Sequence, residues 1–286
     1  MNLISGLQEV SRRMLVARGV RSESVVLAGQ RLHHFSMKGS GKGPPLLLVH
    51  GLGGAAAGFG RVLLPLARRF SRVFAVDLPG HGFSPEYCLG PVCVRGQYDM
   101  LVEYCRTVVG EPAFVVGNSL GGALSAQLAA EHPEFVRALG LVAPAGADVG
   151  PEAIREVLAA MDVKTAEQSR ALTQRLFHRP PWAMLFFADM LRGVYSTPAV
   201  RALSADALAT GDYLKPEQLQ RLEMPVMFVW GGSEKLLPRQ SLAFFQAHLP
   251  PHSKVKVVEG FGHIPHVERP GEFVSELVQF ADGAGL

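Results

Sequence analysis

The chain has 286 residues, 48% of them hydrophobic and 19% charged, which excludes a disordered polymer and allows one large domain or two small ones. A net charge of +3 without a concentrated basic run excludes nucleic acid as an expected partner. Cys88, Cys93 and Cys105 show no metal-type spacing and cannot all pair within the chain, so a reduced compartment is expected, although Cys88 and Cys93 are near enough to bridge.

In chain order, the first expected element is a helix over about 1–18. Leu3, Ile4, Leu7, Val10, Met14 and Leu15 recur at helical spacing, with Arg12, Arg13 and Arg18 largely elsewhere on the wheel. Gln8, Glu9, Arg12 and Arg13 break the apolar run of a signal peptide, and no later stretch is long enough to span a bilayer. A soluble, cytoplasmic protein is expected, its first helix either docked on the body or in peripheral contact with a membrane.

A hairpin is expected over 24–37, turning at Gly29 and Gln30. Apolar strands then alternate with helices: strands at 46–50, 72–78, 113–117 and 138–143, helices at 59–69, 98–109 and 119–131. Near-continuous apolar strands of this kind predict a mostly parallel sheet covered on both faces. From about 150 to 217 no strand is expected, only helices broken by Pro180, Pro181 and Pro198. The alternation resumes at 225–230 and closes with a strand at 254–258 and a terminal helix at 271–280. The predicted organisation is a core at 1–146 and 218–286, interrupted by a helical cap at 147–217.

Gly117-Asn118-Ser119-Leu120-Gly121 follows a buried strand and opens a helix. A turn this sharp strains its central residue, and glycine on either side removes Cβ atoms that would collide. It offers the Ser119 hydroxyl at a helix N-terminus, where N–H groups favour developing negative charge. His50-Gly51-Leu52-Gly53-Gly54 follows the first core strand, and the N–H groups of Leu52 and Leu120 are the expected oxyanion donors. His50 is expected to brace that loop.

His263, flanked by Gly262 and followed by Pro265 beyond the 254–258 strand, is the expected general base. His81 is a rival, expected to be structural. His263 with His266 is too sparse for a metal site, and the chemistry asks for no metal and no cofactor. The acid that orients His263 is expected at Glu234, in the chain order Ser, acid, His, with Asp148 as the alternative.

Five segments, namely the elbow, the H-G-x-G loop, D-L-P-G-H-G at 77–82, W-G-x-x-E at 230–234 and G-H-x-P-x-x-E-x-P at 262–270, together resemble the α/β-hydrolase superfamily. Gly-Asn-Ser-Leu-Gly-Gly is similar to its esterase and lipase branch and to carbon–carbon hydrolases of aromatic ring cleavage. Leu-Val-Ala-Pro-Ala-Gly at 141–146 and the amphipathic N-terminus are similar to monoacylglycerol-lipase-like members. Ser119 departs from haloalkane dehalogenases and epoxide hydrolases, which carry Asp at the elbow. Glu234 stands where the family usually has Asp, extending the carboxylate by about 1.5 Å, one carbon–carbon bond.

The resemblance implies a serine hydrolase acting on small-molecule ester or lipid substrates, with medium-chain acyl esters including monoacylglycerols preferred. A carbon–carbon hydrolase, needing a cation such as Arg192 or Arg201 for its substrate's carboxylate, is the alternative. A slow-turnover ligand-binding member is a third. Trp182, Phe186 and Phe187, with Leu185 and Met190, are the expected acyl-pocket residues.

Overall fold

The computed structural model describes residues 3–180, 189–211 and 213–286. Its sheet has strands β1 (Arg21–Leu27), β2 (Gln30–Lys38), β3 (Leu46–Val49), β4 (Arg72–Val76), β5 (Ala113–Asn118), β6 (Val136–Val142), β7 (Val226–Gly231) and β8 (Lys254–Val258). They run in the order β1-β2-β4-β3-β5-β6-β7-β8. β1 and β2 pair antiparallel, as do β2 and β4, and every later pairing is parallel. The hairpin turn lies one residue earlier than expected: Gln30 already pairs with Leu27 and leaves Ala28 and Gly29 as the turn.

The unbroken apolar runs have a direct cause. Along β3, Leu47 and Val49 join a core with α3 (Val94–Tyr104), α4 (Leu120–Glu131) and the 239–248 helix on one face. Leu46 and Leu48 join the opposite core, with α1 (Leu3–Val16), α2 (Gly60–Ala67) and the 270–283 helix. Alternate side chains point to opposite faces and both faces are covered, so every position is apolar. β3 and β5 are neighbours at the point where the strand order reverses, and Val49 stands opposite Gly117. The loops leaving their carboxyl ends therefore open a crevice between them.

Between β6 and β7 the described residues form only helices: α5 (Pro151–Met161), α6 (Ala166–Leu176), α7 (Asp189–Tyr195), α8 (Pro198–Thr210) and α9 (Pro216–Gln220). A capping box of Thr165 and Gln168 starts α6. This segment has its own small core of Met161, Leu172, Leu176, Phe177, Tyr195 and Val200, against which Leu52, Leu236 and Ile264 of the sheet-edge loops pack. After β7 follow α10 (Arg239–His248), α11 (Pro265–Glu268) and α12 (Pro270–Gly283).

Helix α1 docks through Leu15, whose methyls would lie 3.2 and 3.3 Å from a Cβ on Gly60, while Leu7, Val10, Met14 and Val16 are exposed. No described helix is long and apolar enough to cross a membrane. All three cysteines are free, so the possible Cys88–Cys93 bridge is not formed, and the Cys93 sulfur accepts the Gly96 N–H at the start of α3.

Candidate active site

Ser119 lies between β5 and α4 with φ 54° and ψ −120°, a left-handed conformation costly for a residue with a side chain. The surroundings over-determine it. Its N–H donates to the Val142 carbonyl (3.1 Å), and its own carbonyl accepts from Ala123 (3.1 Å) and Ala145 (3.0 Å). A Cβ on Gly117 would stand 2.1 Å from the Gly121 carbonyl oxygen, and one on Gly121 would stand 2.3 Å from that of Val49. These are backbone atoms that cannot step aside, so both flanking glycines are obligatory.

Gly51 passes equally close, since a Cβ there would be 2.9 Å from the Ser119 Cβ. The following Leu52 is therefore held beside Ser119. Neither the Leu52 N–H nor the Leu120 N–H has a backbone acceptor among the described residues, and Leu120 opens α4, where such orphan donors are expected.

His50 braces this loop. Its Nε2 accepts the Leu78 N–H (3.1 Å), so the ring proton sits on Nδ1 and is donated to the Gly51 carbonyl (2.8 Å). Asp77 ties the next layer. It accepts N–H bonds from Ala56 (2.7 Å) and Phe83 (3.1 Å) and contacts His33 Nδ1 at 2.7 Å. His81, the rival base, is bonded through Nδ1 to the Pro79 carbonyl, and burial pushes its pKa down to about 3. It is a structural residue of the D-L-P-G-H-G loop.

His263 and Glu234 are brought together: Nδ1 and Oε2 are 2.7 Å apart, with both side chains almost wholly buried. The other carboxylate oxygen accepts N–H bonds from Leu236 (2.7 Å) and Leu237 (3.0 Å). Thus the extra methylene of glutamate is taken up by a loop that curls round the carboxylate. Burial favours the neutral acid, but the charge and hydrogen bond of His263 and the two loop N–H groups outweigh it, and the Glu234 pKa lies below the ordinary carboxylate value. Asp148, the alternative, is exposed and its Oδ1 accepts the Gly150 N–H at 3.3 Å.

Three further groups hold His263, and sequence reasoning assigned them no role. Its N–H donates to the Leu176 carbonyl at the end of α6 (2.9 Å), and its carbonyl accepts from Asn118 Nδ2 (2.9 Å). Glu268 accepts the Gly262 N–H at 3.0 Å. Asn118 and Glu268 were both in view as motif letters, but nothing in their spacing says which backbone atom each reaches.

Two cavities of about 150 Å³ each meet at Ser119, sharing Leu52, Met161 and Leu236. One contains His263; the other is apolar and reaches Ile154, Val157 and Leu158 of α5 and Leu203 and Ala207 of α8. The expected pocket residues Trp182, Phe186 and Phe187, with Leu185, lie outside the described residues, as does the side chain of Met190. The α5 wall was instead signalled by the 154, 157, 158, 161 spacing of one helix face.

Residues 44–270 match the family model described as alpha/beta hydrolase fold. The chain belongs to the α/β-hydrolase fold family. This α/β hydrolase is 28% identical over 257 residues to the pimeloyl-[acyl-carrier protein] methyl ester esterase of Aeromonas hydrophila subsp. hydrophila, covering 86% of this chain and 98% of that protein. Its structure is similar to that of a membrane phospholipase A, with TM-score 0.83, 26% identity, and 99% and 91% of the two chains covered. It is also similar to 2-hydroxy-6-oxo-6-phenylhexa-2,4-dienoate hydrolase from Rhodococcus sp. strain RHA1, with TM-score 0.78, 25% identity, and 92% and 99% covered.

Proposed function

We propose that this α/β hydrolase cleaves carboxylic esters through an acyl-enzyme on Ser119. The observation that carries the reading is the buried 2.7 Å contact between His263 and Glu234 in a cavity whose wall includes the strained Ser119. The esterase and phospholipase among its relatives support the same class of substrate.

In this reading Ser119 Oγ attacks the ester carbonyl carbon as its proton passes to His263. The resulting imidazolium is stabilised by Glu234, which is ionised because its pKa is lowered. The N–H groups of Leu52 and Leu120 hold the oxyanion, a stabilisation worth about 3 kcal/mol per donor. Collapse expels the alkoxide, which takes the proton from His263 and leaves as the alcohol. Water then attacks the acyl-Ser119 carbonyl, loses its proton to His263, and the second collapse returns that proton to Ser119 and releases the acid.

The acyl chain is assigned to the apolar cavity, and α5–α9 to a cap over 147–217 that walls it. Carbon–carbon hydrolysis of ring-fission acids is the weaker reading, because no lysine or arginine lines either cavity among the described residues. Arg201 is exposed, and so is Arg192.

The test is a kcat/KM series on p-nitrophenyl esters of graded acyl length, beside a vinylogous diketo acid. Turnover rising to a medium-chain optimum is expected. Cleavage of the diketo acid in preference to every ester would reject the reading.

A further inference from the structure

The cavity assigned to the acyl chain is not apolar throughout. Among the described residues that line it, Ser119 apart, three carry a side-chain hydroxyl: Thr210, Tyr213 and Ser241. Thr210 is exposed and donates to the Asp206 carbonyl at 2.9 Å, and Tyr213 is half-buried. Ser241 differs from both.

Ser241 is only 3% exposed, yet its hydroxyl makes no hydrogen bond among the described residues. Nor is its Oγ one of the sealed polar atoms without a partner, as Ser169 Oγ and Gln97 Oε1 are. A buried hydroxyl that is neither bonded nor sealed opens into the space its residue lines, here the acyl cavity.

Its place in the fold adds a direction. Ser241 is the third residue of α10, and the N–H groups of the first two, Arg239 and Gln240, have no backbone acceptor among the described residues. Pro238, immediately before the helix, also lines the cavity, so the positive end of α10 lies beside it.

The chain between Glu234 and α10 tells which end of the cavity this is. Leu236 lines both cavities that meet at Ser119, whereas Leu237, Pro238 and Ser241 line only the apolar one. The backbone thus runs outward from the junction along the acyl cavity. β5, which leads to Ser119, and β7, which leads to this loop, are two strands apart. Two strand spacings are about 10 Å. An extended chain reaches that far at about its eighth carbon.

The chemistry of the recognised group follows by elimination. A saturated chain would cover the Ser241 hydroxyl without pairing it, which is unfavourable. A carboxylate would need a cation, and no lysine or arginine lines the cavity among the described residues. An alcohol would bring a proton of its own to a helix end that already presents donors. A ketone oxygen only accepts, and it carries no charge.

We propose that Ser241 is a specificity-determining residue of the acyl cavity, its hydroxyl donating to a ketone oxygen on the acyl chain, so that a chain with a ketone near its eighth carbon is preferred to its positional isomers. The inference rests on the ester-hydrolase reading above. It names a feature of the acyl group which that reading leaves open.

The experiment measures kcat/KM for methyl decanoate and for the methyl oxodecanoates with the ketone at C5, C6, C7, C8 or C9, in the native protein and in Ser241→Ala. Where the cavity offers no partner, a ketone should cost about tenfold or more against methyl decanoate. One position near C8, or two adjacent ones, should escape that cost in the native protein. Ser241→Ala should lower the favoured oxo-ester about fivefold to tenfold, the loss of one hydrogen bond, and mainly through KM. Methyl decanoate should be unchanged or slightly faster, because a hydroxyl it cannot pair is gone. Ser241→Ala removes only an unpartnered group, so the thermal midpoint should not fall. A loss shared by every ester would mean loosened packing and would count against the proposal. A native profile without a favoured position, or a favoured position unmoved by Ser241→Ala, overturns the proposal and leaves ester hydrolysis standing. Hydrolysis of none of these esters removes the ester-hydrolase reading, and this proposal with it.

Discussion

The carboxyl edge of the sheet and the helices between β6 and β7 meet across Ser119, and they are built by different means. The sheet edge is fixed by backbone. Gly117, Gly121 and Gly231 each pass so near a carbonyl oxygen that a Cβ would stand 2.1–2.4 Å from it, and Glu234 is held by two N–H groups of its own loop. The helical segment is held by side chains. Met161, Leu172, Leu176 and Val200 form a small core, tied to the sheet edge by such bonds as His263 N–H to Leu176 and Leu214 N–H to Gly146. One region tolerates almost no substitution without moving the reacting groups. The other is held by side-chain packing, so the proposed function assigns the chemistry to the first and substrate selection to the second.

The largest effect should come from the rigid side. Glu234→Gln keeps the shape but loses the charge proposed to stabilise the His263 cation, and should lower kcat about ten-thousandfold. Asp148→Asn, an exposed change, should alter it less than about twofold. Steady-state kinetics on one ester checks both, and the opposite ranking would place the acid on the β6 side.

The soft side should respond in selectivity rather than rate. Ile154 is half-buried on the α5 wall of the apolar cavity, so Ile154→Trp fills space there without touching the sheet edge. Long acyl chains should lose about tenfold or more in kcat/KM relative to short ones. A uniform loss at all lengths would mean that the acyl chain does not enter this cavity.

The last effect is on stability rather than on rate or selectivity, a pH dependence that belongs to the loops between the two regions. His81 and His266 fall from an ordinary 6.5 to about 3 on folding. The unfolded chain therefore binds protons on both as pH drops below 6.5, while the folded chain does so only near 3. Their stabilisation is complete above 6.5 and is lost progressively down to about 3. The urea midpoint should be lower at about pH 5 than near neutrality, and His81→Gln should reduce the difference.

The same contrast explains what was legible in the sequence. Glycines 117 and 121, Ser119 and the Ser, acid, His order are local consequences of a strand-to-helix turn and of a strand's end, so the pattern shows them directly. The neighbouring strands are legible because burial on both faces leaves only apolar choices. The cavity walls are not local. Ile154, Val157, Leu158 and Met161 advertise one apolar face of α5, but whether that face meets another helix or a substrate depends on how α5 and α8 are set against the sheet. Aromatic content drew attention to Trp182, Phe186 and Phe187, a compositional signal with no direction in space. Asn118 shows the same limit at the centre of the site: an asparagine in a turn is common, and only the fold brings its amide to the His263 carbonyl.

The central claim is that Ser119 is the nucleophile. Its most direct test is fluorophosphonate labelling of the native protein, Ser119→Ala and His263→Ala, followed by peptide mass mapping. One adduct per chain on the Ser119 peptide is expected, slowed by several orders of magnitude in His263→Ala and absent in Ser119→Ala. Labelling that persists in Ser119→Ala, or a native protein that takes up no probe, would contradict the account.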